Sequence, residues 1–340
     1  MKLTYIIGVS VLASSMLLGA SDLAQKAKNA GLTAIPTDKG ELKKLIDPKK
    51  IVTPERVELG KKLYFDPRLS KSELISCNTC HNLATGGVDG VPAAHGHMWR
   101  ANPHHLNSPT VYNAVFAKRQ FWDGRSPDLE DQAKGPTLAA PEMAATPSLI
   151  EARVNSMPAY VDEFKKAYGK DVKVNFDTIT KTIGIFERTL VTPSRFDDFL
   201  NGKADALTDA EKEGLKLFIN EGCTACHTGV ALGGSMQKFP LVKPYKYANI
   251  GDFKGDKNGM VKVPTLRNIT ETAPYFHNGA VWSLKEAVQI MGETQLGKSI
   301  SDADAQKIVT FLGALKGRKP AVEFPQLPAV TAKTPKPDMN

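Results

Sequence analysis

The chain has 340 residues, which suggests about two domains, and 41% of its residues are hydrophobic and 24% charged. These values are ordinary for a globular protein and exclude disorder over most of the chain. Lysine and arginine exceed aspartate and glutamate by eight, but the excess is spread along the chain and no recognition motif accompanies it, so no nucleic-acid partner is expected.

The first 20 residues have the pattern of a secretory signal peptide. Lys2 forms a short positive region, residues 5–18 are apolar, and Gly19-Ala20 precedes polar residues. This pattern predicts cleavage after Ala20 and export, as into a bacterial periplasm. The alternative is an uncleaved membrane anchor. No later stretch is long and apolar enough to span a bilayer, so the processed protein is not expected to cross a membrane.

The pattern Cys-x-x-Cys-His occurs twice, and it accounts for all four cysteines of the chain. Two thiols three residues apart can each bond one vinyl group of a porphyrin, and the adjacent histidine then lies under the iron. A redox dithiol or half of a zinc site would not require a histidine after each pair. The sequence therefore predicts two covalent haem c groups, attached at Cys77, Cys80, Cys223 and Cys226, with His81 and His227 as proximal iron ligands.

The two motifs belong to a longer internal repeat. "GKKLYF", "SPTVYNA" and "FWDG" around the first motif have counterparts in "GLKLFI", "VPTLRNI" and "FHNG" around the second. A helix is predicted after each copy, with Asp128 and Ser283 as N-caps, and another over residues 176–191. We therefore expect a mainly α fold with two cytochrome c-like haem domains in tandem and long loops. The predicted limits are 21–192, 193–318, and a proline-rich tail at 319–340 that is either an extended strap or disordered.

The sixth ligand of each iron distinguishes the two halves. In the second repeat the predicted helix reaches Met291, which would give the His/Met ligation of an electron-transfer haem; Met236 and Met260 are competitors, and a core role is the alternative. In the first repeat Pro136 stands at the equivalent position and cannot bind iron. Two polar residues near it, Gln132 and Glu142, are of the type that handles protons.

Histidines and an aromatic residue near the first motif are further candidates. "AAHGHMW" places His97 on a glycine-bearing loop, where a histidine could bind iron in one state and leave in another. His95, His104 and His105 are interpreted as exposed loop residues. Trp122 stands where the second repeat has His277, and either packs in a core or carries electrons between two haems.

Together, "SCNTCHNLATGG", "GHMW", "NSPTVYNAVF", "QFWDGR", "DQAKGP", "GCTACHTG" and "TAPYFHNGA" closely resemble the bacterial dihaem cytochrome c peroxidases. The resemblance implies reduction of hydrogen peroxide to water with electrons from a small cytochrome c or copper protein. It implies that His97 is a removable ligand of the N-terminal haem and that the C-terminal haem receives electrons. It also implies roles for a set of further residues: Gln132 and Glu142 as the catalytic pair, Trp122 between the haems, and Asn107, Thr272 and Pro274 as Ca²⁺ ligands.

Other consequences of the resemblance are a homodimer and, in some members, activation by one electron. The stretch "RANPHHLNSPT" is slightly longer than the family pattern, which leaves the activation behaviour open. Two alternatives remain. One is a dihaem electron-transfer cytochrome without turnover, against which Pro136 and Glu142 argue. The other is a related dihaem enzyme that oxidises tryptophans of a partner protein, in which a tyrosine replaces Met291.

Overall fold

The computed structural model describes residues 21–340, so the predicted signal peptide lies outside the described residues. Helices and long loops dominate, as expected. Within the described range no helix is long and apolar enough to cross a membrane. Residues 21–29 are helical, and the α-helices that follow are α1 Lys39–Ile46, α2 Pro54–Phe65, α3 Cys77–Cys80, α4 Leu129–Gln132, α5 Lys134–Leu138, α6 Pro147–Asn155, α7 Pro158–Tyr168, α8 Phe176–Glu187, α9 Arg195–Leu200, α10 Asp209–Asn220, α11 Leu284–Leu296 and α12 Asp302–Gly313. An antiparallel pair of short strands, β1 Met236–Lys238 and β2 Met260–Lys262, is also present.

The helix starts predicted from the repeat are confirmed. The side chain of Asp128 accepts a hydrogen bond from the backbone of Asp131 at the start of α4, and Ser283 caps α11 in the same way through Glu286. These side-chain oxygens satisfy backbone N–H groups that have no partner in the first helical turn. The predicted helix 176–191 begins as expected but ends at Glu187, and beyond it the carbonyl oxygen of Leu190 accepts a hydrogen bond from the backbone N–H of Asn113 at 2.8 Å.

Each half of the chain has its own core, and in each half a glycine at the equivalent position of the repeat lies where two helices pack closely. Gly60 of α2 packs so closely on α8 that an added Cβ would lie 2.2 Å from the carbonyl oxygen of Thr182. Gly214 of α10 packs equally closely on α12, where a Cβ would lie 2.1 Å from the carbonyl oxygen of Lys307. The absence of a side chain lets the two helix backbones approach, so the glycine of "GKKLYF" and "GLKLFI" fixes the same helix pair in both domains.

Equivalent loops of the two repeats come together at the predicted domain boundary. Asn113 and Asn268 are equivalent positions, and both adopt a left-handed backbone at the start of a short 3₁₀ turn. The amide nitrogens of both side chains donate to the hydroxyl of Thr192, at 2.7 Å and 2.9 Å. The buried Thr192 therefore joins corresponding loops of the two domains.

The first described segment does not pack where the sequence placed it. Residues 21–35 were assigned to the N-terminal domain, yet Leu23, Ala27 and Leu32 are buried in the core of the C-terminal one. The backbone N–H of Ile35 donates to the carboxylate of Asp197 at 2.7 Å. The physical reason is that this short helical segment carries an apolar stripe, and the stripe is buried against the C-terminal core.

The proline-rich tail, residues 319–340, is an extended strap that packs on the N-terminal domain. Its Phe324 ring packs edge-on against Phe65, with centroids 5.1 Å apart. The guanidinium of Arg153, fully buried, donates to the carbonyls of Pro335 and Lys336 at 3.2 Å and 2.9 Å. This strap thus supplies two of the five carbonyl acceptors of the buried guanidinium, and the other three come from residues 68, 70 and 71.

Candidate haem sites and the region between them

The two predicted proximal histidines have the same hydrogen-bonding arrangement. The Nδ1 of His81 lies 2.9 Å from the carbonyl oxygen of Pro109, and that of His227 lies 3.0 Å from the carbonyl oxygen of Leu232. A carbonyl acceptor fixes the proton on Nδ1 and leaves the Nε2 lone pair for a metal. Burial lowers the pKa of both imidazoles, which favours the neutral form that binds iron.

The cysteines of each motif lie on a short helical turn directly before the histidine. Cys77 and Cys80 begin and end α3, whereas Cys223 starts a 3₁₀ turn that Cys226 follows. All four are free thiols and half-buried. Two thiols and one imidazole on each turn are the donor set of a covalently attached haem, so both sites fit that group.

A cavity of about 220 Å³ surrounds the second donor set, and we call it the haem cavity. Cys223, Cys226 and His227 line it together with Met291 of α11. The competitors Met236 and Met260 do not line it; Met236 packs on Gly124 instead, where a Cβ would lie 2.6 Å from its sulfur. Of the three candidate methionines, Met291 is therefore the one that shares the cavity with His227.

Around the first donor set, the His97 loop is docked on Glu142. The backbone N–H of His97 donates to the carbonyl oxygen of Glu142 at 2.6 Å. Gly96 makes this approach possible, since a Cβ there would lie 2.0 Å from the carbonyl oxygen of Pro141. The Nδ1 of His97 is buried without a partner among the described residues, while its Nε2 lies 3.4 Å from the carbonyl oxygen of Asn340.

The Glu142 carboxyl has an unusual electrostatic environment. Burial raises its pKa above the ordinary value, and the Arg125 guanidinium opposes the rise. Burial also raises the pKa of the Cys80 thiol to about 12, and the charges of Asp89 and Glu142 add to that effect. The carboxyl of Glu142 therefore lies within electrostatic range of the first haem-attachment site.

Gln132 and Pro136 lie on the segment that leads to Glu142. Gln132 is the half-buried last residue of α4, and Pro136 lies within α5. The carbonyl oxygen of Pro136 accepts from the backbone N–H of Met143 at 3.1 Å, which fixes the turn that carries Glu142. The side chains of Gln132 and Glu142 share no hydrogen bond in this part of the chain.

Trp122 and its repeat counterpart, His277, lie together in the wall of the haem cavity. Trp122 is 9% exposed, and its Nε1–H donates to the carbonyl oxygen of Asn107 at 2.9 Å. Its ring meets that of His277 edge-on, with centroids 6.3 Å apart, and both rings line the haem cavity. Burial lowers the pKa of His277 to about 4, so this imidazole is neutral at physiological pH.

The three predicted calcium ligands, Asn107, Thr272 and Pro274, are all among the residues that line the haem cavity. The side-chain nitrogen of Asn107 donates to the carbonyl oxygen of Val91 at 2.8 Å, which leaves its side-chain oxygen available. Among residues 21–340 no group of three or more His, Cys, Asp or Glu side chains is arranged to hold a metal ion. A cation here would be held by neutral oxygens, which suit Ca²⁺.

The remaining loop histidines differ in their surroundings. His95 and His104 are exposed, as interpreted, and His104 pairs with Asp252 of the C-terminal domain at 2.9 Å. His105 is half-buried instead, because the loop backbone packs against Gly251. Sequence reasoning did not single out Arg125, although its "QFWDGR" motif was recognised.

The chain has two Cys-x-x-Cys-His turns for haem attachment, and in each the histidine is held by a hydrogen bond from Nδ1 that leaves Nε2 free to bind iron. This arrangement defines a c-type cytochrome with two haem domains. The family profile described as "Di-haem cytochrome c peroxidase" matches residues 54–205, and the cytochrome c profile matches residues 211–316. A cytochrome c551 peroxidase of Pseudomonas aeruginosa is 49% identical over 84% of this chain and 86% of its own length. The chain therefore belongs to the bacterial dihaem cytochrome c peroxidase family, whose enzymes carry two haem c groups.

More distant proteins share the architecture. A cytochrome c551 peroxidase of Nitrosomonas europaea is 47% identical over 86% of this chain and 90% of its own length. The methylamine utilization protein MauG of Methylorubrum extorquens is 33% identical over 82% of both chains. The solved structure of a MauG-like protein associated with microbial copper homeostasis has 27% identity and a TM-score of 0.68, covering 78% of this chain and 90% of its own.

Proposed function

We propose that this peroxidase reduces hydrogen peroxide at the N-terminal haem with electrons that enter at the C-terminal haem. The observation that carries this division is the exchange of Met291 for Pro136 at equivalent positions. Met291 shares a cavity with His227, whereas Pro136 shapes the turn that carries Glu142. Bound haem supplies the redox-active iron at both sites, and the chain decides which iron has a permanent sixth ligand.

The residues around the first site have separate roles in this proposal. His97 would be the residue that binds the N-terminal haem in the fully oxidised protein, and separation of its loop from Glu142 would release it. Glu142, as the carboxylate, takes a proton from peroxide and returns it to the leaving oxygen, while Gln132 orients the peroxide by hydrogen bonding. Two electrons and two protons convert one peroxide to two waters.

Trp122 lies on the proposed route between the two haems. Its ring lines the haem cavity, and its Nε1–H is bonded to the backbone of Asn107, which fixes the ring plane. Asn107, Thr272 and Pro274 are proposed to bind Ca²⁺ through oxygen atoms. This cation would hold the loops of both repeats beside Trp122, so its removal would disturb the contact between the domains.

The proposal extends to the setting of the enzyme. Residues 21–192 and 193–318 form the two haem domains, with the exception of the segment 21–35, and residues 1–20 direct export to the periplasm. A small cytochrome c or a copper protein supplies the electrons, and the protein forms a homodimer. These statements are supported by the sequence pattern and by the family.

Donor specificity and turnover are tested in one assay. The holoprotein is mixed with peroxide and a reduced monohaem cytochrome c, or with a reduced copper protein, and donor oxidation is followed optically. We expect two donor molecules to be oxidised per peroxide with at least one of the donors. A holoprotein that carries both haems, has received one electron and still oxidises neither donor would instead be an electron-transfer cytochrome.

A further inference from the structure

Lys262 is a lysine buried without an acidic partner. Its side chain is 8% exposed, and within the described part of the chain its ammonium makes no hydrogen bond or ion pair. The nearest opposing charge, Asp123, is bound by Arg125 at 2.9 Å and 3.0 Å. Burial lowers the pKa of Lys262 to about 8. A lysine in such a position ordinarily has a counter-ion, since an unpaired buried charge is costly.

The backbone places Lys262 at the junction of the two haem sites. It is the last residue of β2, and its N–H donates to the carbonyl oxygen of Trp122 at 2.7 Å. The residue lines the haem cavity together with His227 and Met291. Burial, and more weakly the charge of Lys262, lowers the pKa of His81, so the ammonium is also within electrostatic range of the first site.

The wall of the haem cavity has cationic side chains and no carboxylate. Lys238 and Lys262 are the charged residues that line it, and Lys238 is exposed at the surface. Haem c carries two propionate carboxylates, so a haem bound at Cys223 and Cys226 would bring the missing negative charges. The buried lysine and the propionate then compensate each other in a medium of low polarity.

We propose that Lys262 is the counter-ion of a propionate of the C-terminal haem, and that it sets the potential of that haem beside Trp122. The inference deepens the proposed electron path, on which it rests. A positive charge near the iron favours the reduced state, which carries one positive charge fewer. A lysine that holds both a propionate and the Trp122 backbone would also keep the haem edge in contact with the proposed route.

The test is a redox titration of the holoprotein without peroxide, followed in the separate optical bands of the two haems. In Lys262→Gln, the ratio of reduced to oxidised C-terminal haem at a fixed potential should fall about tenfold, which equals 59 mV for a one-electron couple. Lys262→Arg keeps the charge and should stay within about twofold. Lys257→Gln is the matched control, because this exposed lysine of the C-terminal domain does not line the haem cavity; its charge is screened, so the variant should change the ratio less than about twofold.

An unchanged ratio for the C-terminal haem in a fully loaded Lys262→Gln protein would overturn the proposal. If that variant does not mature, the propionate bending band in resonance Raman spectra of the wild type and Lys262→Arg gives the answer. The band should shift between them if position 262 bonds the propionate, and an identical band would refute the bond. Neither readout requires peroxidase turnover, so failure of the proposal for Lys262 can be distinguished from failure of the proposed function.

Discussion

Replacing Glu142 by Gln should abolish most of the peroxide reaction without destabilising the protein. Proton transfer by a positioned carboxylate contributes about 10²–10⁴-fold to a rate, or about 3–5 kcal/mol of barrier. The Glu142 carboxylate makes no hydrogen bond or ion pair with the residues described, so the substitution removes no folded-state contact of that kind. The free energy of unfolding should change by less than about 0.5 kcal/mol.

The same prediction also fixes the direction in which the rate of the peroxide reaction changes with pH. Burial raises the pKa of Glu142, and the proposed role requires the carboxylate, so the wild-type rate should fall as the pH drops through that raised pKa. A carboxyl whose pKa rises on folding destabilises the native state when ionised, so Glu142→Gln should be equally or slightly more stable above that range. The acidic limb of the rate profile should vanish in this variant.

The assay is stopped-flow mixing of peroxide with protein that has received one electron, combined with thermal unfolding. Glu213→Gln is the matched control, because that carboxylate is exposed on α10 and paired with Lys216 at 2.6 Å. It should leave the peroxide rate unchanged. A Glu142→Gln protein that reacts within threefold of the wild-type rate would refute the role given to this carboxylate.

Three further changes test the second site and the cores. Met291→His should lower the potential of the C-terminal haem in a redox titration, since His/His ligation replaces the raised-potential His/Met pair with His227; an unchanged potential would exclude Met291 as ligand. Arg153→Met should reduce the free energy of unfolding by about 3 kcal/mol in denaturant titrations, because five carbonyls, one of them buried and four in part-buried bonds, lose their donor; a loss below about 1 kcal/mol would contradict this. Asp197→Asn should cost about 3–5 kcal/mol at pH 7, because it leaves the buried Arg267 guanidinium unpaired. Burial opposes ionisation of Asp197, but Arg267 and two backbone N–H groups outweigh it and lower the pKa of this carboxyl. The contribution of Asp197 to stability is therefore present above about pH 4 and lost as the pH falls through the lowered pKa. An acid-unfolding curve of Asp197→Asn parallel to that of the wild type would refute this.

Features that depend on residues close together in the chain could be predicted from the sequence. The N-caps Asp128 and Ser283 satisfy backbone donors a few residues away, so their pattern is visible without a fold. Both Cys-x-x-Cys-His turns follow the same logic, because each motif lies within five consecutive residues. The helix end at Glu187 is not visible in the sequence, because Leu190 and Val191 continue the apolar pattern while the contact that holds Leu190 outside the helix comes from Asn113 on a distant loop.

Contacts between distant segments could not be predicted in this way. The segment 21–35 has an apolar stripe, but a stripe does not say which of two similar cores it covers. Lys262 lies on a strand of three residues, too short for a periodic pattern to show that its side chain is buried. The tail was left open between strap and disorder because the acceptors it offers to Arg153 are backbone carbonyls, which every sequence has.

The most direct test of the division between the haems is the spin state of the N-terminal haem after addition of one electron, with and without Ca²⁺. Optical and electron paramagnetic resonance spectra should show a high-spin ferric signal once His97 has left, and stoichiometric peroxide should remove that signal. Two haems that remain low-spin and do not respond to peroxide would contradict the account, and with it the roles of Gln132 and Glu142.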